Sequence, residues 1–326
     1  MKRTLISFAV LGTILGSSLA QAGGYDRSGQ DTSIIFAEGN AVEISHVSVK
    51  PSITGTYDAT AQMVAPMKGF SPAAATGNAA PSYNMTNIAF KMDIDDELSL
   101  AVINDSPFGA DVAWTSGMFT GTTGKIKSNA TTALLSYAMD NNVTVYGGLK
   151  SQSISADTAV PLKTYEFAAA EDTSLGYVIG AAIAKPEIGM RVALTFHPKI
   201  KHTLSVVETV AGNVQPAADL DVTLPDALNL DFQTGIAANT LLFGSLRYVK
   251  WNQTEVAPAR YKALHGVALL VKGTDVVNFN LGVGRKFNDL WSGAVTYGSE
   301  RKTGDAGSAF TFKDGYKKIG LGVTYT

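Results

Sequence analysis

Four histidines stand in the chain: His46, His197, His202 and His265. A serine hydrolase carried on strands needs one of them in reach of a serine and of a polar orienting group. His197 lies on the polar face of an alternating run with Arg191, Lys199 and Lys201, and no serine stands out as its partner. His197 and His202 are five apart. Along one regular strand they face opposite sides and cannot share a metal. Gly121-Thr122-Thr123-Gly124-Lys125 has part of a phosphate loop, but Phe119 holds the first glycine position and Ile126 stands where Ser or Thr is needed. There are no cysteines, which removes disulfide frameworks and thiolate metal sites. These residue types imply no enzyme, no metal and no cofactor. A formal net charge of -2, with 17% of residues charged, offers no nucleic-acid surface.

The remaining chemistry is apolar recognition. One connecting segment carries Met63, Val64, Met67 and Phe70 among many alanines; a second carries Phe108, Trp114, Met118 and Phe119. Such residues are costly on a wetted surface and suit a site for hydrophobic molecules. Methionine adapts to ligands of varied shape. The ligand-binding candidates are Phe108, Trp114, Met118, Phe119, Met67 and Phe70. The competing reading makes the same residues a structural cap, or part of an aromatic belt at a membrane interface.

The elements that position these segments are strands. Leu228, Leu230, Phe232, Thr234 and Ile236 alternate with Asn229, Asp231, Gln233 and Gly235. Val277, Phe279, Leu281 and Val283 alternate with Asn278, Asn280, Gly282 and Gly284. Period two places successive side chains on opposite faces of a sheet. Hydrophobic residues make up 45% of the chain, yet no run after the N-terminus reaches the ~18 apolar residues of a membrane helix. Alternation hides apolar content in this way in a transmembrane barrel. A soluble β-sandwich shares the local pattern.

Two further features favour the barrel. Residues 1–22 read as a signal peptide: Lys2 and Arg3, an apolar stretch from Leu5 to Leu19, then Ala20-Gln21-Ala22. The connections also alternate in length. Short polar turns fall at Asp95-Asp96-Glu97, Asp140-Asn141-Asn142, Lys185-Pro186-Glu187, Ala238-Asn239 and Asn288-Asp289. Between them lie long connections, expected over Asp58 to Pro81, Pro107 to Gly124, Ala156 to Thr173, Thr209 to Pro225, and Asn252 to about Leu264. Tight periplasmic turns and longer outer loops give this sorting in bacterial barrels. The expectation is an all-β transmembrane antiparallel barrel of about 12 strands over residues 41–326, preceded by a short segment at 23–40.

Three stretches resemble the FadL-type family of outer-membrane transporters for long-chain fatty acids and other hydrophobic molecules. Thr223 to Val256 has Leu224-Pro225-Asp226 leading into a strand, a tight turn, and a second strand ending near Trp251. Asn104 to Trp114 contains Pro107-Phe108-Gly109. Gly176 to His202 contains a hairpin turning on Lys185-Pro186. The resemblance implies passive transport of a hydrophobic small molecule, a fatty acid or hydrocarbon, by a monomer in the outer membrane of a Gram-negative bacterium. Outer-membrane lipid and the assembly machinery are its other implied partners. It also implies a plug before the first strand, with Phe36, Glu38 and Asn40 near the place of an Asn-Pro-Ala motif that here lacks its proline. The family's barrel has 14 strands against about 12 here, so the resemblance implies a hairpin fewer. Lateral exit through the wall is implied near a kink in the third strand, where Asn104, Asp105, Ser106 and Pro107 stand. A proline cannot donate to the ladder, so pairing should break there. Asn229, Asp231, Gln233, Asn278 and Asn280 turned inward would also suit a water-filled porin for polar solutes. A structural or adhesive barrel, acting through its loops, is the remaining alternative.

Overall fold

The alternation of residue types survives as an alternation of exposure. Along β1 (Ala41–Val49), every second residue is exposed and the others are half-buried, and the last strand, Tyr316–Tyr325, repeats this. The computed structural model describes residues 24–271, 273–304, 309–310 and 314–326. The signal peptide expected at 1–22 lies outside them.

The strands after β1 are β2 (Tyr83–Asp93), β3 (Leu98–Asp105), β4 (Gly109–Ala113), β5 (Thr123–Ala138), β6 (Val143–Val160) and β7 (Tyr165–Lys185). They continue as β8 (Met190–His197), β9 (Ile200–Val210), β10 (Asn213–Val214), β11 (Ala218–Leu224), β12 (Ala227–Ala237) and β13 (Thr240–Val249). The last are β14 (Glu255–Val256), β15 (Leu270–Val271), β16 (Val276–Lys286), β17 (Trp291–Glu300) and β18 (Tyr316–Tyr325). All but β14 and β15 join one antiparallel sheet, whose path runs β1-β2-β3-β5-β6-β7-β8-β12-β13-β16-β17-β18. Sequence neighbours pair in order, as in an up-and-down meander. No ladder joins β1 to β18 among the described residues.

Three pairs of strands are single runs interrupted at a proline. β3 and β4 both pair β5, on either side of Pro107. β8 and β9 are parted by Pro198-Lys199, and β11 and β12 by Pro225-Asp226. Proline removes a ladder donor, so each run bends at that point.

The short turns fall where the sequence places them, but two expected long loops are not loops. Ala156 to Thr173 is a tall hairpin of β6 and β7, turning on Pro161–Lys163. Thr209 to Pro225 is taken up largely by the end of β9, with β10 and β11. Both stretches lack the apolar outward row that marks strands elsewhere, so their alternation is harder to see. Part of a third expected connection, Gly109–Ala113, is strand β4. A helix over Ala59–Met67, capped by the Asp58 carboxylate on the amide of Ala61, occupies the first long connection. No described helix is long and apolar enough to cross a membrane.

The outward row is apolar in the lower part of the sheet. Leu175, Tyr177, Ile179 and Ile183 on β7, and Val277, Phe279, Leu281 and Val283 on β16, are all exposed. Exposed apolar side chains in such numbers require an apolar solvent.

Candidate functional site

The site begins at Pro107. Asp105 faces Ala130 of β5 and Gly109 faces Lys127, so one residue too many lies between on the β3–β4 side. The bulge turns Phe108 inward, where it is 4% exposed. The Ser128 hydroxyl replaces the lost ladder, accepting from the Phe108 amide (2.9 Å) and donating to the Phe108 carbonyl (2.7 Å). On the other side β2 pairs β3 only as far as Ile88 and Asn104. Tyr83–Asn87 and Asp105–Gly109 therefore have no ladder between them. The Arg27 guanidinium stands here, 3.5 Å from the centre of the Tyr83 ring and 3.6 Å from the Asp111 carboxylate.

Phe108 opens onto an apolar cavity of about 70 Å³. Tyr25, Trp251, Phe167, Leu204 and Phe310 share its wall. The Trp251 ring lies 5.8 Å from Tyr25 and meets Phe108 edge-on at 5.5 Å. Phe310 closes one side and is held by two hydrogen bonds: the Tyr25 hydroxyl donates to the Phe310 carbonyl (2.9 Å), and Trp114 Nε1 donates to the Ala309 carbonyl (2.8 Å). Burial raises the pKa of the Tyr25 phenol, so it stays a donor at any physiological pH.

Beneath the cavity the interior is polar, and the segment before β1 runs through it. Its amides at Arg27 and Ser28 donate to the carbonyls of Pro107 and Ser106, so it completes the ladder that Pro107 interrupts. Asp26 is paired with Arg247 of β13, which also donates to Asn229 (2.7 Å) and Gln30 (3.0 Å). Ser28 donates to Asp105. Lys150 and His197 face each other at 3.1 Å. The Lys91 ammonium is bonded to the carbonyls of Ala37 and Gly39 and to the Asp93 carboxylate. Among the described residues no cluster of His, Asp and Glu could hold a metal ion.

Of the expected ligand residues, Phe108 lines the cavity. Trp114 and Phe119 pack against each other at a tilt (5.4 Å) and against Tyr57 (6.2 and 5.9 Å). Met118 is half-buried beside them, Phe70 is half-buried, and Met67 is fully exposed on the Ala59–Met67 helix. In the N-terminal segment, Phe36 packs edge-on against Tyr146 at 5.8 Å, with the Arg191 guanidinium 4.3 Å from its ring centre. Glu38 and Asn40 are exposed, and the Asn40 side chain accepts from the Asp93 amide. Asn104 turns outward to Asn129 and Thr131, whereas Asp105 is buried.

One orientation differs from expectation. His197 and His202 both point inward, at 2% and 0% exposure, while Lys199 and Lys201 are exposed. The break at Pro198-Lys199 shifts the alternation by one residue between them. The pairing of Arg247 with Asp26 was not read from sequence. Its signal is an arginine on the inward row of an otherwise apolar strand.

No protein-family model matches the chain, and no curated protein matches it. Solved structures do. A Pseudomonas aeruginosa FadL homologue superposes with a TM-score of 0.66 at 13% identity, over 96% of this chain and 84% of that one. The fold is that of the FadL-type outer-membrane transporters. The Pseudomonas putida toluene transporter TodX gives 0.62 at 10% identity, over 98% of this chain and 88% of that one. The Ralstonia pickettii toluene transporter TbuX gives 0.55 at 12% identity, over 77% and 75%. Two of these three relatives in fold, TodX and TbuX, are toluene transporters.

Proposed function

We propose that the chain forms a closed outer-membrane barrel of twelve long strands that passes small hydrophobic molecules by passive diffusion. The observation that carries this reading is the apolar cavity beside a broken stretch of wall. A molecule reaching the cavity past Phe310 and Trp114 leaves sideways, between Tyr83–Asn87 and Asp105–Gly109, when the Tyr25–Ser28 segment bonded to Ser106, Pro107 and Gly109 swings aside with the Arg27 side chain. The segment at 24–40 is the plug: its ion pair and hydrogen bonds block a straight polar path. The toluene transporters named above support the class of cargo. The cavity also favours a compact cargo. An engineered cavity of about 150 Å³ holds benzene, so one aromatic ring already requires Phe310 to yield, and a long acyl chain would require more. The protein acts as a single chain in the outer membrane of a Gram-negative bacterium.

A water-filled porin is the second reading. A cavity of about 80 Å³ with a mixed polar lining, including Asp31, Arg191, Asn229 and Arg247, favours it. Proteoliposomes decide between them. Entry of toluene into vesicles that stay closed to arabinose supports the hydrophobic channel. Rapid swelling in arabinose would sink it.

A further inference from the structure

We propose that the wall contains a second side opening, between β7 and β9, through which a small hydrophobic molecule passes from the apolar cavity to the outer leaflet. The proposal rests on the transport reading above and adds a route to it.

The observation is a stretch of two neighbouring strands without a ladder. Ile179 of β7 pairs with Phe196 of β8, and Ala169 of β7 pairs with Val206 of β9. The number of residues between these pairs is the same on both sides, so an unbroken ladder would fit. None is made: Ala170–Val178 has no ladder partner in His197–Ser205.

The reason is a pair of opposed shifts. On β7 the register against β6 slips between Ile154 and Ala156, so the inward row changes from Tyr165, Phe167 and Ala169 to Asp172, Ser174, Gly176 and Val178. On the other side the inward row changes at Pro198-Lys199, from Thr195 and His197 to Ile200, His202 and Leu204. Each shift inserts one residue, and together they cancel. Between them the two backbones are out of phase, so their amides and carbonyls do not meet in ladder positions.

Side chains bridge the interval instead. His202 Nδ1 lies 2.9 Å from the Asp172 carboxylate, across the gap. Ile200 lies over Gly176, where a Cβ would fall 2.6 Å from its terminal carbon. An apolar stopper and one polar latch thus stand where ladder hydrogen bonds hold the rest of the wall. Either can turn about its side-chain torsions without breaking a strand.

Both ends of the opening suit an apolar traveller. Ala169, Phe167 and Leu204, at its inner upper edge, line the apolar cavity. On the outer surface Leu175 and Tyr177 are 78% and 50% exposed, which places this edge against lipid chains. Lys199 and Lys201 are exposed on the opposite edge, and Lys201 is paired with Asp221 of β11 at 2.7 Å. This opening is separate from the one at Pro107, which lies between β2 and β3–β4.

The chain has no cysteine, so a cross-link can be placed cleanly. In one variant Asp172→Cys and His202→Cys are joined by oxidation or by a short reducible bis-methanethiosulfonate. In a second, Asn87→Cys and Asp105→Cys are joined across the Pro107 gap. Toluene flux into proteoliposomes is measured before and after reduction. The expected result is a loss of flux on locking the first pair, restored by reductant, and a deeper loss when both pairs are locked. Ile200→Ala, which removes the stopper, should raise flux. Unchanged flux in both the locked first pair and the Ile200→Ala variant overturns the second opening, and loss of all flux on locking the Pro107 pair alone does the same. Both leave the transport reading standing. If the wild-type protein carries no toluene, the transport reading itself fails.

Discussion

Asp26 and Arg247, far apart in sequence, form an ion pair that neither side chain shares with solvent. One group belongs to the N-terminal segment and the other to β13. Removing one partner of a buried pair leaves a bare charge and costs about 3–5 kcal/mol. β13 is held by ladders to β12 and β16 on both sides, so the segment is the part that yields. Arg247→Met should therefore loosen the plug and admit arabinose in a liposome-swelling assay. Asp26→Asn combined with Arg247→Met should leak less than Arg247→Met alone, because both charges of the pair are removed together.

Trp251 reports on the apolar cavity. The chain has three tryptophans; Trp114 and Trp291 lie outside the cavity, and Trp291 is 46% exposed. With Trp114→Phe and Trp291→Phe, the remaining emission should come from a dry site and shift saturably with toluene. Phe108→Ala removes the ring edge facing Trp251 and should weaken toluene binding by about 1 kcal/mol. Unchanged emission at saturating toluene would place the ligand elsewhere.

The Trp114 indole holds the Phe310 segment by one hydrogen bond to the Ala309 carbonyl. Trp114→Phe keeps a ring against Tyr57 and Phe119 but removes the donor. Losing one such bond costs about 1 kcal/mol. Stopped-flow fluorescence of Trp251 should then show several-fold faster toluene entry and release.

Gly148 is where the wall tolerates no side chain. A Cβ there would lie 1.8 Å from the Ala133 carbonyl oxygen of β5. Backbone must move, and β5 and β6 pair along their whole length. Gly148→Ala should fail to give a species that migrates compactly in cold SDS and shifts on heating. Gly29→Ala, whose added Cβ meets nothing within 4 Å, should retain that species despite its positive φ.

Much of the wall is legible in sequence because its cause is local. Alternation such as Val277, Phe279, Leu281 and Val283 against Asn278 and Asn280 follows from the period of the strand. The turns at Asp95-Asp96-Glu97 and Asn288-Asp289 follow from residues that bond their own backbone: Asp95 accepts from the Leu98 amide, and Asn288 from the Trp291 amide. Upper strands such as Ala218–Leu224 were harder, because polar residues stand on their outward row and blur the contrast.

The site was legible only in part. Phe108 stands out in sequence as an aromatic residue in an expected connection, and Pro107 beside it as a break in the ladder, each a property of one residue. Tyr25, Trp251 and Phe310 meet it from three distant parts of the chain, and no local pattern records that meeting. The inward turn of His202 depends on a shift at Pro198-Lys199, and a strand period counted across that break gives the wrong face.

The sequence by itself determined the strands, the sorting of the connections and the breaks at proline, since each is set by neighbours within a few residues. Tertiary structure decided what the interior contains. It brought Asp26 to Arg247 and Trp251 to Phe108, because the register of successive ladders fixes which inward side chains share a level. It also decided where the wall is left unlaced, since two bulges on different strands cancel only when those strands lie side by side.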